Sequence, residues 1–164
     1  MAKKIEIIAD FDIFIKGKGQ IGTAYKVAVP KLTQAKEGHT SGVGDYEISI
    51  GQFEKMECSF TVLLEDMLFY EAMSDLNDVE VDFIEAVKAG SEAREGNYEF
   101  KGVLDLDVAE AERKKKKEVT GTMSINKAYH SIAGSEAYHI DFENGIAKVG
   151  GVDFNEKVRR IVKG

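Results

Sequence analysis

The chain has 164 residues, 43% of them hydrophobic and 31% charged, a balance that supports one domain with a buried core and argues against global disorder. Its 29 acidic residues outnumber 22 Lys and Arg, for a formal charge of −7. That disfavours tight nucleic-acid binding, which draws on clustered cations, but suits a surface that DNA slides past without sticking.

No apolar run approaches the roughly 20 residues that span a bilayer, so no membrane anchor is expected. Two lysines open the chain, but Asp10 and Asp12 arrive before a signal-peptide core forms. Cys58 is the only cysteine, which excludes a disulfide framework or thiolate metal cluster within one chain. The expectation is a non-secreted, soluble protein of a reducing compartment, with residues 1–164 as a single domain.

Residues 5–15 are rich in β-branched and aromatic side chains, with Phe11, Ile13 and Ile15 on one face and Phe14 on the other. A turn at Lys16-Gly17-Lys18-Gly19 follows, then a strand from about Ile21 to Val29 that Pro30 ends. Gly17 to Gly22 matches G-x-G-x-x-G, but strand-like T-A-Y-K-V-A-V-P follows where a dinucleotide site needs a helix. The match is therefore a glycine-rich hairpin turn.

The stretch from Lys26 to Val62 organises the chain. Between P-K-L-T and Asp45 lies a polar arm, about residues 33–45, in which only Ala35 and Val43 are apolar. A connection this long is usually functional or disordered. Two strands broken at Gly51 come next. In the second, Met56, Cys58, Phe60 and Val62 alternate against Glu57, Ser59 and Thr61, so Cys58 reads as a small buried hydrophobe.

Leu64, Met67, Leu68, Tyr70 and Ala72 form an imperfect helical stripe. Asn77-Asp78 suggests the cap of a second helix over Val79, Phe83, Ala86 and Val87, closed by Gly90, although V-E-V-D-F also alternates as a strand. Strand patterns return at Tyr98–Val108 and from Val119 towards Tyr129. Between them Lys114–Lys117 reads as a solvated turn or charged edge, or as a phosphate patch diluted by Glu110, Glu112 and Glu118. Asn144-Gly145 between alternating runs signals a hairpin, and Phe154, Val158, Ile161 and Val162 share a face of a short terminal helix.

No chemistry of an enzyme is visible. His39, His130 and His139 lack metal-ligand spacing, no serine sits in a nucleophile elbow, and no carboxylate pair stands out. The expectation is a non-enzyme without metal or cofactor.

The order P-K-L-T (30–33), a polar arm with Gly42 and Gly44, Y-E-I-S-I-G-Q-F-E-K-M-E-C-S-F-T (46–61), the hairpin at Asp141–Val149, and G-G-V-D before Arg159 and Arg160 resembles the major tail tube protein of contractile-tailed bacteriophages. The resemblance spans most of the chain in the right order. It departs in the split glycine pair Gly42-Val43-Gly44, in a longer segment from Leu63 to Gly90, and in the lysine run.

What the resemblance implies is a mainly β fold: a two-sheet β-barrel or sandwich of the phage tail tube type, with one or two flanking α-helices and a long extended arm. It implies a structural virion protein whose hexameric rings stack into the hollow tube inside a contractile sheath, the conduit for DNA ejection. Its implied partners are further copies of itself, the tail sheath, tape measure, baseplate and tail terminator proteins, and transiently double-stranded DNA. The implied location is the virion, with assembly in the bacterial host cytoplasm.

Arm contacts between rings would then involve Thr33, Lys36, Glu37, His39, Thr40, Val43 and Asp45, while Glu47, Glu57, Glu99, Asp105 and Asp107 are candidates to face the lumen. Lys114–Lys117 would face outward or lie at a ring edge. The competing readings are a tube subunit of a phage-tail-like bacteriocin or of a secretion system, and a small-ligand-binding β-barrel.

Overall fold

A computed structural model describes residues 4–16, 19–20 and 24–163. Twelve strands and two α-helices are described: β1 (Ile7–Ile15), β2 (Gly19–Gln20), β3 (Ala24–Ala28), β4 (Gln34–Thr40), β5 (Asp45–Phe53), β6 (Met56–Val62), α1 (Met67–Met73), β7 (Val79–Ala89), β8 (Glu92–Val108), β9 (Val119–Ile132), β10 (Ser135–Asp141), β11 (Ile146–Val149), β12 (Val152–Asp153) and α2 (Glu156–Lys163). Ten strands form one antiparallel sheet, and β4 with β5 forms a second. The architecture is mainly β, as expected.

The long strand β9 is the pivot of the main sheet. It pairs with β8 along its whole length, while its other edge serves β6 over Val119–Ile125 and β10 from Lys127 onward. The fork falls at Asn126, the extra residue of a bulge, where Lys101 pairs with Lys127 but Gly102 already pairs with Ile125. The bulge leaves Asn126 free to bond elsewhere, and its carbonyl accepts the Phe142 N–H at 2.9 Å. Beyond β8 the sheet continues through β7 and β1 to β2. Among the described residues no ladder joins its ends, so the expected barrel is an open, curled sheet.

The core fills the concave side. Ile13, Met56, Phe60, Val62, Val79, Val81, Phe83, Leu104, Met123 and Ile140 are all buried there. Helix α1 closes it, with its first turn set by Asp66, whose carboxylate accepts the Leu68 N–H at 3.1 Å. It buries Phe69 and Ala72, with Phe69 6.1 Å from Phe60, while Met67 and Tyr70 stay exposed. The stripe expected from sequence is therefore rotated towards Phe69.

Three further expectations are corrected. Residues 79–89 are strand β7, not a helix: Val79, Val81 and Phe83 alternate into the core, and β1 and β8 hydrogen-bond both edges. Strand β5 does not break at Gly51 but bends through it at φ 75 and runs to Phe53. The loop around Asn144-Gly145 spans four residues, because Asp141 pairs with Ile146. Its Asp141 carboxylate accepts the N–H groups of Glu143 and Asn144, each at 3.1 Å.

Much of the turn expected at 16–19, and Ile21 and Gly22 of the G-x-G-x-x-G match, lie outside the described residues. Gly19 and Gln20 pair back onto Ile15 and Phe14, which is the geometry of a hairpin.

Candidate assembly surfaces

The expected arm is half of a β-hairpin. Among the described residues strands β4 and β5 pair only with each other, with His39 opposite Tyr46, Glu37 opposite Ile48 and Lys36 opposite Ser49. At its root the Glu54 N–H donates to the Thr33 carbonyl at 2.9 Å. At its tip Thr40 Oγ1 donates to Asp45 at 3.0 Å, Ser41 N–H donates to the Gly44 carbonyl at 2.9 Å, and Val43 is fully exposed.

Period-two alternation gives this hairpin two unlike faces. One carries Lys36, Thr40, Asp45, Glu47 and Ser49. The other carries Ala35, Glu37, His39, Tyr46, Ile48 and Ile50, with His39 stacked on Tyr46 at 5.7 Å. Among the described residues this second face stays open: Tyr46, Ile48 and Ile50 are 50%, 43% and 48% exposed. The apolar residues of the hairpin thus lie mainly on β5, beyond the 33–45 arm read from sequence. Their signal was the alternation in Y-E-I-S-I, which equally fits a core strand.

The five acidic lumen candidates do not share one place. Across β6, β9 and β8 the register aligns Glu57 with Ser124 and Val103, Ser59 with Thr122 and Asp105, and Thr61 with Thr120 and Asp107. Glu57, Asp105 and Asp107 therefore lie on one convex face lined with hydroxyls, opposite the core face of Cys58, Phe60 and Met123. Lys55 pairs with Glu57 at 3.0 Å. Glu47 sits on the polar face of the hairpin, opposite Gly38.

Glu99 shares the face of Asp105 on β8 but lies well along the strand from it, in a groove lined by Lys16, Glu80, Asp82, Lys101, Lys127 and Tyr129. Cations and carboxylates balance there. Lys16 bonds Glu80 at 2.9 Å, while burial, and then the charge of Glu99, push the Asp82 carboxyl above its ordinary value. The lysine run sits in the exposed loop between β8 and β9, with Lys115 2.6 Å from Glu112 and Lys117 3.8 Å from Glu65.

At the C-terminus Arg159 ties α2 to the body. Its guanidinium donates to Asp153 at 2.6 Å and to the Gly145 carbonyl at 3.1 Å, and Asn155 donates to the same carbonyl at 2.7 Å. The expected apolar face does form but is not packed on the body: Val158, Ile161 and Val162 are 57%, 82% and 77% exposed.

Among the described residues no cluster of His, Cys, Asp and Glu could hold a metal ion. Cys58 is buried, and burial pushes its thiol up to about 12, far from a nucleophile's range. His130 is buried against Tyr98 at 3.8 Å with Nδ1 3.0 Å from the Asn97 carbonyl, while His139 meets Tyr129 on the other face of the sheet.

No curated protein matches the sequence significantly. Among solved structures, the fold is similar to a chain of the extended sheath–tube complex of an extracellular contractile injection system (PVC), with TM-score 0.57, 10% identity, and coverage of 76% of this chain and 90% of that one. It is similar also to the tube-terminating cap of the anti-feeding prophage, with TM-score 0.60, 12% identity, and coverage of 81% and 95%. At these identities the likeness establishes the fold. The profile of the family described as phage tail tube protein FII matches residues 5–162, nearly the whole chain. On that match, the chain belongs to the phage tail tube protein FII family.

Proposed function

We propose that copies of this chain close into hexameric rings, and that the rings stack into the hollow tube of a contractile tail, through which DNA passes during ejection. The observation that carries this reading is the β4–β5 hairpin. In a member of a tail tube family, its two strands pair with each other and stand apart from the main sheet, and its apolar face stays open among the described residues. An exposed apolar hairpin is a liability for a monomer and an asset for a subunit that meets an identical neighbour.

In this reading the acidic, hydroxyl-lined face of Glu57, Asp105 and Asp107 turns to the bore. Its charge repels phosphate over roughly 10 Å at physiological ionic strength, and keeps the wall non-adhesive. The partners are then the sheath, terminator, tape measure and baseplate proteins, the location is the virion, and assembly takes place in the bacterial cytoplasm. A second reading has specific support: the similar solved structures include the sheath–tube complex of an extracellular contractile injection system and an anti-feeding prophage cap, so a tail-like particle without DNA would use the same subunit.

The test is electron microscopy of the purified protein as its concentration is raised, beside a variant in which residues 37–48 are replaced by Asn-Gly. That change shortens the hairpin at the Lys36–Ser49 pair and leaves the main sheet intact. Hollow tubes from the native chain, and unstacked rings or monomers from the variant, are expected. Tubes formed equally well by both would remove the hairpin from the axial contact.

A further inference from the structure

We infer that the apolar face of the hairpin of one copy seats on the apolar face of α2 of a second copy. The inference rests on the tube reading for the presence of a neighbour, and it adds the surface that the hairpin meets.

Two apolar strips lie open on the described molecule at opposite ends of one junction. Tyr46, Ile48 and Ile50 line the hairpin, and Val158, Ile161 and Val162 line α2. They spring from the same root, because Phe53 stacks on Phe154. Ile48 lies five residues out from that root on an extended strand, roughly 17 Å at 3.3 Å per residue, whereas Ile161 lies seven residues out on a helical path. The exposure of both strips means that neither covers the other within one chain.

Charge favours their meeting between chains. The hairpin carries Glu37, Asp45 and Glu47 against a single Lys36, while α2 carries Lys157, Arg159 and Arg160 against a single Glu156. Glu37 stands on the apolar face opposite Ile48, and its only salt-bridge partner among the described residues is His39 at 3.8 Å. Lys157 flanks the α2 strip, one position before Val158, with no ion pair among the described residues; Arg159 and Arg160 are engaged by Asp153 and Glu156. Glu37 and Lys157 are thus matched to close on each other as the strips pack. Such a contact joins two different surfaces of identical chains, the heterologous kind that propagates instead of stopping at a dimer.

The experiment mixes two variants, one Ile48→Cys and the other Ile161→Cys, under mild oxidation; native Cys58 is buried and stays silent. A disulfide-linked pair that forms on mixing, and from neither variant alone, is expected. A chain carrying both substitutions that cross-links only within itself would show the strip covered by its own helix and overturn the inference. Charge reversal gives the second arm. Glu37→Lys or Lys157→Glu alone should raise the concentration needed for tubes about tenfold, and the double variant should restore it. Native-like tubes without cross-link or rescue would overturn this docking and leave the tube reading standing. A native chain that forms neither tubes nor cross-links would overturn both.

Discussion

Phe53, at the root of the hairpin, stacks on Phe154, just ahead of α2, with ring centroids 6.0 Å apart and planes 19° apart. The contact joins the hairpin, whose strands pair outside the main sheet, to the segment that leads into α2. Beside it runs a groove of about 260 Å³ between the hairpin root and the β10–β11 turn, lined by Phe53, Ile140, Phe142 and Asn155. Replacing Phe154 with Ala removes an aromatic pair worth about 0.5–1.5 kcal/mol and leaves the core untouched. Amide exchange should rise at 50–54 and 153–162 and stay unchanged in β7–β9. Faster exchange throughout would mean that the pair supports the whole domain.

The fork of the main sheet makes a harder demand. A Cβ on Gly102 would lie 1.9 Å from the Ser124 carbonyl oxygen, a backbone atom that cannot step aside without breaking the β8–β9 ladder at the bulge. Gly102→Ala is therefore expected to lower stability by about 3 kcal/mol or more, at the upper end for overpacking. Gly121→Ala also clashes, at 2.4 Å, but with the Phe60 ring, which can shift. Chemical denaturation of both variants checks the order; equal losses would mean that the backbone at the fork yields as easily as a side chain.

The sequence made the strands legible wherever one face is buried, as in β6, where Met56, Cys58, Phe60 and Val62 enter the core in step. It misled where two periods coincide. Val79, Phe83, Ala86 and Val87 fit a helix as well as a strand, and the choice falls to the edges of β1 and β8, contacts remote in sequence. The candidate surfaces were half legible for a related reason. Polar β4 announces itself as no core strand, but Tyr46, Ile48 and Ile50 carry the alternation of a buried strand and stay about half exposed among the described residues. Periodicity reports that a face is apolar, not which molecule covers it. The acidic candidates divided for want of register, since only the pairing of β8 with β9 and of β9 with β6 sets Glu57 beside Asp105 and apart from Glu99.

Acid should loosen the C-terminal region first. The Arg159 hydrogen bond, against a smaller opposing effect of burial, holds the Asp153 carboxyl below its ordinary value of 3.8. At Asp141 burial pushes upward, and the Asn144 side-chain and backbone N–H bonds outweigh it. Both groups therefore give stability that is fully present above about pH 4, and lose it as pH falls through their lower folded values. Asp153→Asn should cost about 1 kcal/mol at neutral pH, given a partly exposed pair, and should flatten the acid limb of the stability curve. An unchanged acid limb would show that Asp153 titrates alike in the folded and unfolded chain.

The proposed bore makes its own prediction through Asp105 and Asp107. Neither forms an ion pair among the described residues, and each faces a threonine across the ladder, Thr122 and Thr120, so their charge is spent on nothing inside the fold. Asp105→Lys with Asp107→Lys should leave the melting temperature within the small range of surface changes. In a hexamer the pair moves the wall by 24 charges per ring, four per subunit, taken as roughly −2 to +2 for each chain at neutral pH. Tubes of this variant should retain double-stranded DNA at about 50 mM salt and release it near 200 mM, as counterion competition requires. Sedimentation of tubes with labelled DNA reads this directly. Equal, negligible retention by native and variant tubes would place the two aspartates outside the bore.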